Sequence, residues 1–177
     1  MELQESNSAT TFSSNRKEEI WAILENVKDP EIPVLSVVDM GIVTAVTLPP
    51  ANSHLPTVIT ITPTFVGCPA IDVMKKNMIE ELAKKGVDAT VSVDFETKWT
   101  SDRMTSEARE KLEKFGIAPP AIMNDEDLTE EQLNRVRCPY CHSTDTTLRA
   151  AFGSTLCRAI RFCFSCKQGF EQFKPIG

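Results

Sequence analysis

Two C-x-x-C pairs, Cys138-Pro-Tyr-Cys141 and Cys163-Phe-Ser-Cys166, separated by 21 residues, constrain this chain more than any other feature. Each pair can close a tight turn that presents two sulfurs to one ion at about 2.3 Å, and four thiolates complete the tetrahedral shell that zinc prefers. Between the pairs, Thr146–Phe152 and Ala159–Phe162 read as short strands, so residues 138–177 are expected to form a four-cysteine zinc ribbon. Such a module buries too little apolar surface to fold alone, and structural zinc contributes about 10–16 kcal/mol of binding free energy to units of this kind. A closed shell leaves no open position for chemistry, so Cys138, Cys141, Cys163 and Cys166 are read as structural ligands. A redox dithiol pair or a rubredoxin-like iron site are the alternatives, because four thiolates accept iron as well as zinc. Tyr140 and His142 flank the first pair, either as further ligands or as packing and solvent-facing side chains.

The remaining 137 residues leave room for one ordinary domain. No segment approaches the length of a membrane span, and the first residues carry neither a basic start nor an apolar run. Residues 1–14 read as a disordered leader, and six cysteines without a secretory signal point to reduced thiols in a cytoplasmic setting. The formal net charge of −6 speaks against generic nucleic-acid binding. Its distribution is uneven: the ribbon carries Arg149, Arg158, Arg161, Lys167 and Lys174 against Asp145 and Glu171, a balance of +3 on an acidic body. That is the pattern of a module docking on an acidic protein, or of an ordinary solvated face.

Apolar periodicity at Ile20, Ile23, Leu24 and Val27 predicts a helix over 15–27, stopping before Asp29-Pro30. Val37 to Leu48 has the β-branched content of a strand interrupted at Gly41, and Thr57–Thr62 reads as a second strand after a long connection through Ala51–Pro56. A helix from Pro69 to Lys85 is expected to bury Ile71, Met74, Met78, Ile79 and Leu82, with Gly86 as its stop and Val87–Phe95 as a third strand. The fold class is therefore α+β: an α-β-β-α-β domain over 15–97 with its helices on one sheet face, plus the ribbon. Residues 98–120 read as a loop and charged helix extension, and 121–137 as an acidic linker.

Cys68 stands apart from the ribbon, between Gly67 and Pro69 at the expected start of a helix. Unpaired N–H groups and the helix dipole there favour an anion, so this thiol is a candidate for a ready thiolate. The competing reading is a small buried hydrophobe. Asp29, Glu31 and Asp39 lie on the loop and first strand, as turn and cap residues or, if the fold converges them on Cys68, as neighbours of a labile iron or iron–sulfur site. Cys157 is read as a packing residue at the tip or edge of the ribbon, not a fifth ligand.

These residues carry a resemblance. Asp29-Pro-Glu-Ile-Pro-Val-Leu-Ser-Val-Val-Asp39-Met-Gly-Ile-Val43 and Thr62-Pro-Thr-Phe-Val-Gly-Cys68-Pro-Ala70 resemble the small iron–sulfur-assembly domain family that includes SufT. Joined to Lys98-Trp-Thr, Gly116-Ile-Ala-Pro-Pro120 and a four-cysteine ribbon containing Phe152-Gly-Ser-Thr155, that domain resembles the PaaD (PaaJ) family of accessory subunits associated with phenylacetyl-CoA epoxidase in bacterial phenylacetate degradation. The resemblance implies a non-catalytic accessory protein that assists assembly of an iron or iron–sulfur centre, chiefly that of the system's iron–sulfur reductase. It implies a thiolate role for Cys68, with Asp29, Glu31 and Asp39 at the matching motif positions, structural zinc at the four ribbon cysteines, and a transient iron or iron–sulfur cargo. The partners it implies are the other epoxidase subunits, with no nucleic acid and no membrane, and with self-association left open.

An adaptor that docks epoxidase subunits through the ribbon, without metal chemistry, is the alternative. An enzyme in its own right finds little support: the two histidines, His54 and His142, fall in expected loops, and neither a nucleotide-binding glycine motif nor the Glu-x-x-His pairs of di-iron bundles occurs.

Overall fold

Threonine, valine and isoleucine at alternating positions give the first sheet its two faces. The computed structural model describes residues 6–65, 67–123, 129 and 135–176. In the body, α1 (Ser6–Leu24) precedes β1 (Val43–Thr47), β2 (Thr57–Ile61), α2 (Ala70–Lys84) and β3 (Ala89–Val93). The three strands lie in the order β1-β2-β3, with β1 and β2 antiparallel and β3 parallel to β2. The α2 crossover supplies the reversal that a parallel neighbour needs. Thr57, Ile59 and Ile61 are the buried positions of β2, and the two isoleucines share one core with Leu24, Met74, Met78 and Leu82 of the two helices. The α+β class and the four-cysteine ribbon are both as the sequence predicts.

Several boundaries differ from expectation. Helix α1 begins at Ser6, inside the segment read as a leader, and ends at Leu24 rather than Val27. No proline or glycine interrupts residues 6–14, so nothing in the sequence stops the helix from extending upstream. Residues 1–5 of the expected leader, and most of the expected linker 121–137, lie outside the described residues. On α2 the buried face is Ala70, Met74, Met78 and Leu82, whereas Ile71 is only half-buried and Ile79 is exposed.

The expected strand from Val37 starts only at Val43. Ser36 and Asp39 cap each other instead: the Ser36 N–H donates to Asp39 Oδ2 and the Asp39 N–H to Ser36 Oγ, both at 2.9 Å. This local alternative to ladder pairing turns the chain. Gly41 follows with φ of 62°, and a Cβ there would lie 2.5 Å from the Arg103 carbonyl oxygen, so only glycine fits.

Residues 98–120 are a strap rather than a spacer. Trp99 Nε1–H donates to the Met40 carbonyl, the Thr105 N–H to the Asp39 carbonyl, and Lys111 Nζ reaches Asp39 Oδ2 at 2.7 Å. Thr105 caps α3 (Ser106–Phe115) by accepting the Ala108 N–H at 3.0 Å. The strap then enters the second sheet as β4 (Ile117–Ala118), parallel to the last strand. That sheet has the order β4-β7-β6-β5, with β5 at Thr146–Ala150, β6 at Arg158–Cys163 and β7 at Gly169–Phe173. The ribbon sheet thus has four strands where the sequence suggested two.

Strand β7 also leaves the ribbon's own interior. Phe173 is fully buried in the body's core and packs on Trp99 with ring centroids 5.9 Å apart. The Ser101 N–H then donates to the Ile176 carbonyl at 2.8 Å. Truncation of an aromatic in such a place costs about 3–5 kcal/mol. Phe173→Ala should therefore lower stability by about that amount in chemical denaturation. A loss well below about 1 kcal/mol would mean that the ribbon does not share the body's core.

Candidate functional site

Two sites emerge from this framework, one built of sulfur and one at the seam between body and ribbon. In the first, Cys138 Sγ lies 3.7 Å from Cys166 Sγ, and Cys141 Sγ lies 3.6 Å from Cys163 Sγ. All four sulfurs fall within 4.8 Å of one another. A regular tetrahedron with zinc–sulfur bonds of about 2.3 Å has edges of about 3.8 Å, so the four ligands fit one ion. The turns that place them are alike. His142 and Lys167, each directly after the second cysteine of a pair, adopt φ of 60° and 61°. This left-handed step turns the next amide back, and the N–H groups of Ser143 and Gln168 donate to the sulfurs of Cys141 and Cys166.

On Cys163, the amides of Cys166 and Ser165 and the Cys141 thiol outweigh burial and hold the thiol down to about 7. Burial pushes the Cys166 thiol up to about 12, against the pull of the Gln168 amide. Four clustered thiols do not all ionise without a cation, and this cluster is set to receive one. His142 and Tyr140 contact the strap. His142 Nδ1 lies 3.2 Å from Glu113 Oε1 on α3, and the exposed Tyr140 ring covers Gly116. Both join the ribbon to the strap.

The second site is a cavity of about 290 Å³ between the loop that starts α2 and the β5–β6 connection. Thr64, Phe65, Cys68, Pro69 and Ala70 line it from the body, Phe152 to Cys157 from the ribbon, and Glu31 from the loop ahead of β1. Lys174 sits at the cavity's edge, its Nζ 4.3 Å from the Phe152 ring centroid and 5.4 Å from that of Phe65. Cys68 is half-buried, with its carbonyl accepting the Ile71 N–H at 3.2 Å as the helix begins.

Of the four residues named as a labile iron site, the fold brings two to this cavity and holds two apart from it. Cys68 and Glu31 line it. Asp29 is buried beneath, its Oδ1 accepting the N–H groups of Glu31 at 2.7 Å and Ile32 at 2.8 Å. Burial pushes its carboxyl up, against the pull of those two amides. Asp39 lies on the strap side: burial opposes its charge, but Lys111 and Ser36 outweigh that and hold it below the usual carboxylate range. Among the described residues, the ribbon cysteines are the only three or more His, Cys, Asp or Glu with ligand atoms within 4.8 Å of one another.

Arg158, Glu171 and Cys157, to which the sequence assigned other places, complete the seam. Arg158, one of the five cations assigned to the ribbon's basic face, is buried. It donates from Nη1 to Glu171 Oε2 at 2.7 Å and from Nε to Thr155 Oγ1 at 3.0 Å, and its Nη2 lies 3.6 Å from Glu31 Oε2. Glu171 Oε1 accepts from the Ser154 N–H and hydroxyl at 3.0 and 2.9 Å. Arg161 is buried too, which removes two of the five cations from the basic face. Cys157, expected at a tip or edge, is half-buried in the cavity wall with burial raising its thiol pKa. The motif Phe152-Gly-Ser-Thr155 was the one sequence signal for this wall.

Residues 17–95 match the family model described as iron–sulfur cluster assembly protein, and residues 123–174 the model described as PaaD zinc beta ribbon domain. The chain is 40% identical, over 94% of its length and 97% of the other's, to an Escherichia coli (strain K12) protein named as the putative D-type subunit of 1,2-phenylacetyl-CoA epoxidase. Among solved structures it is similar to a domain of unknown function from Bacillus anthracis, at 30% identity and TM-score 0.48 over 54% of this chain and 89% of that one. A conserved hypothetical protein from Thermotoga maritima matches at 32% identity and TM-score 0.45 over 57% and 94%.

Two expectations follow from the geometry. Chelation of the ribbon metal, or Cys138→Ala, should abolish amide-exchange protection in β5 and β6 while α2 stays protected, because the metal supplies the ribbon's folding energy. Protection retained in both strands would contradict it. Asp29 tests the loop. Its raised carboxyl pKa favours the protonated form in the fold, so its contribution is fully present below the ordinary value of 3.8 and declines as the pH rises through the folded one. Asp29→Asn keeps the Oδ1 acceptor without the charge and should match or exceed the wild-type stability at neutral pH. Asp29→Ala strands two amides and should cost about 1–3 kcal/mol by denaturant titration.

Proposed function

The chain belongs to the family of the D-type subunit of 1,2-phenylacetyl-CoA epoxidase, and from that membership we propose that it is a non-catalytic accessory protein of an epoxidase system in phenylacetate catabolism. Its task on this reading is to assist assembly of an iron or iron–sulfur centre in the oxygenase or, chiefly, the iron–sulfur reductase. The observation that carries the reading is the cavity at the seam. Cys68, supplied by the assembly-type domain, opens with the Glu31 carboxylate into a space whose other wall belongs to the ribbon. A thiol and a carboxylate in a half-enclosed, partly apolar site suit brief capture of a borderline-soft cation. Ligands that are not already drawn together suit release.

Zinc in the ribbon is structural under this proposal, since Cys138, Cys141, Cys163 and Cys166 close the shell. The working units are the assembly-type domain at 15–97, the strap at 98–120 and the ribbon at 138–177. The setting is cytoplasmic, where thiols stay reduced. Among the described residues, no helix is long and apolar enough to cross a membrane.

An adaptor without metal chemistry is the second reading, favoured by the exposed apolar side chains Leu148, Phe152, Leu156, Ile160 and Phe164 on the ribbon. Co-expression of the epoxidase subunits with the wild-type chain or with Cys68→Ala separates the two. The variant is expected to fold with its zinc in place and to lower both epoxidase turnover and the iron and sulfide content of the purified reductase. Equal activity and equal iron in the two preparations would leave the adaptor.

A further inference from the structure

The sixth cysteine faces the same cavity as Cys68. We propose that Cys157 is the second sulfur ligand of a two-thiol cation site, with Cys68 and the Glu31 carboxylate as its partners and a thiophilic divalent ion of the ferrous class as its ligand. The site deepens the assembly reading above and rests on it.

The geometry has three parts. Cys68 and Cys157 line one cavity from opposite modules, and both pack against the body's core cluster. Burial pushes the Cys157 thiol up most, Thr155 and the Arg158 guanidinium pull it down, and Asp29 and Cys68 add smaller upward pushes, which places the two sulfurs within charge-interaction range of each other. Two thiols and the Glu31 carboxylate thus border one space at the seam, two soft ligands and one hard one. The three ligand atoms do not all lie within 4.8 Å of one another, so a divalent cation draws them together as it displaces the two thiol protons.

Glu31 is the movable member. Its carboxylate stands 3.6 Å from Arg158 Nη2, beyond hydrogen-bond range, whereas Glu171 holds the same guanidinium at 2.7 Å. Turning Glu31 toward a cation therefore leaves Arg158 with its main partner. Thr155 Oγ1, 3.1 Å from Cys157 Sγ, can donate to the sulfur and orient it, as outer groups do around metal ligands. Two sulfurs with one oxygen suit ferrous iron, zinc or cobalt better than magnesium or calcium.

The test uses the full, zinc-loaded, reduced chain without air, with Co(II) as a visible stand-in for ferrous iron. Wild type is expected to take one Co(II) beyond its zinc, with sulfur-to-metal charge-transfer absorption. Cys157→Ala should weaken that binding by more than about tenfold, the scale on which even outer partners of metal ligands act. As a check that needs no variant, Co(II) should slow iodoacetamide modification of Cys68 and Cys157 together in the wild-type chain, read by peptide mass. Binding by Cys157→Ala equal to wild type, protection of Cys68 alone, or no ion beyond zinc would each overturn the two-thiol site. None of these touches the Cys68→Ala co-expression result, so the two proposals fail separately.

Discussion

The seating of Phe173 in the body's core is the contact on which the rest of this structure depends. A ribbon held only by its metal would be a separate bead, free to turn about its connection. Phe173 instead fills space against Trp99, and Trp99 in turn donates to the Met40 carbonyl of the loop ahead of β1. One apolar burial thereby fixes three segments: the ribbon's last strand, the strap and the motif loop. The β5–β6 connection is then carried to the mouth of α2, and the cavity exists because of it. Metal and core act in series. The thiolate cluster folds the ribbon, and the aromatic contact aims it.

Charge organises the seam that apolar contact closes. Arg158 is buried, and an unpaired buried guanidinium would be costly. Glu171 and Thr155 satisfy it within the ribbon, leaving Glu31 as a looser partner from the body. Pairing across the seam is thus lopsided, tight on one side and open on the other. The acidic residues of the motif loop divide similarly. Asp29 bonds the amides of its own turn, and Asp39 pairs with Lys111 of α3, so both build the loop that presents Glu31. As the pH falls through the carboxylate range, the Asp39 contribution is lost, since its charged form is the bonded one.

Elements whose causes are local were legible. The α2 helix has a proline before its first turn and a glycine after its last, and its apolar stripe has the helical period. The C-x-x-C pairs specify their ligands by spacing, because each knuckle is closed within a few residues. Legibility failed where a local pattern had a nearby competitor. Val37 to Ile42 is β-branched enough for a strand, yet the Ser36–Asp39 caps and the Arg103 carbonyl against Gly41 turn it into a loop. The charges of Arg158 and Arg161 looked like a surface because basic residues usually are one, and their burial depends on a fold that composition does not describe.

The sequence by itself determined the four-cysteine set, the α+β class and the candidate thiol at Cys68, since each rests on spacing or periodicity within a short stretch. Only the tertiary structure decided what Cys68 faces. Cys157 and Phe152 lie more than eighty residues beyond it, and Glu31 precedes it by thirty-seven. No pattern along the chain brings these together. Their meeting is set by the burial of Phe173, the strap's hydrogen bonds to the Met40 and Asp39 carbonyls, and the pairing of β4 with β7. Those are contacts between distant segments, whose closure depends on the packing of the whole core.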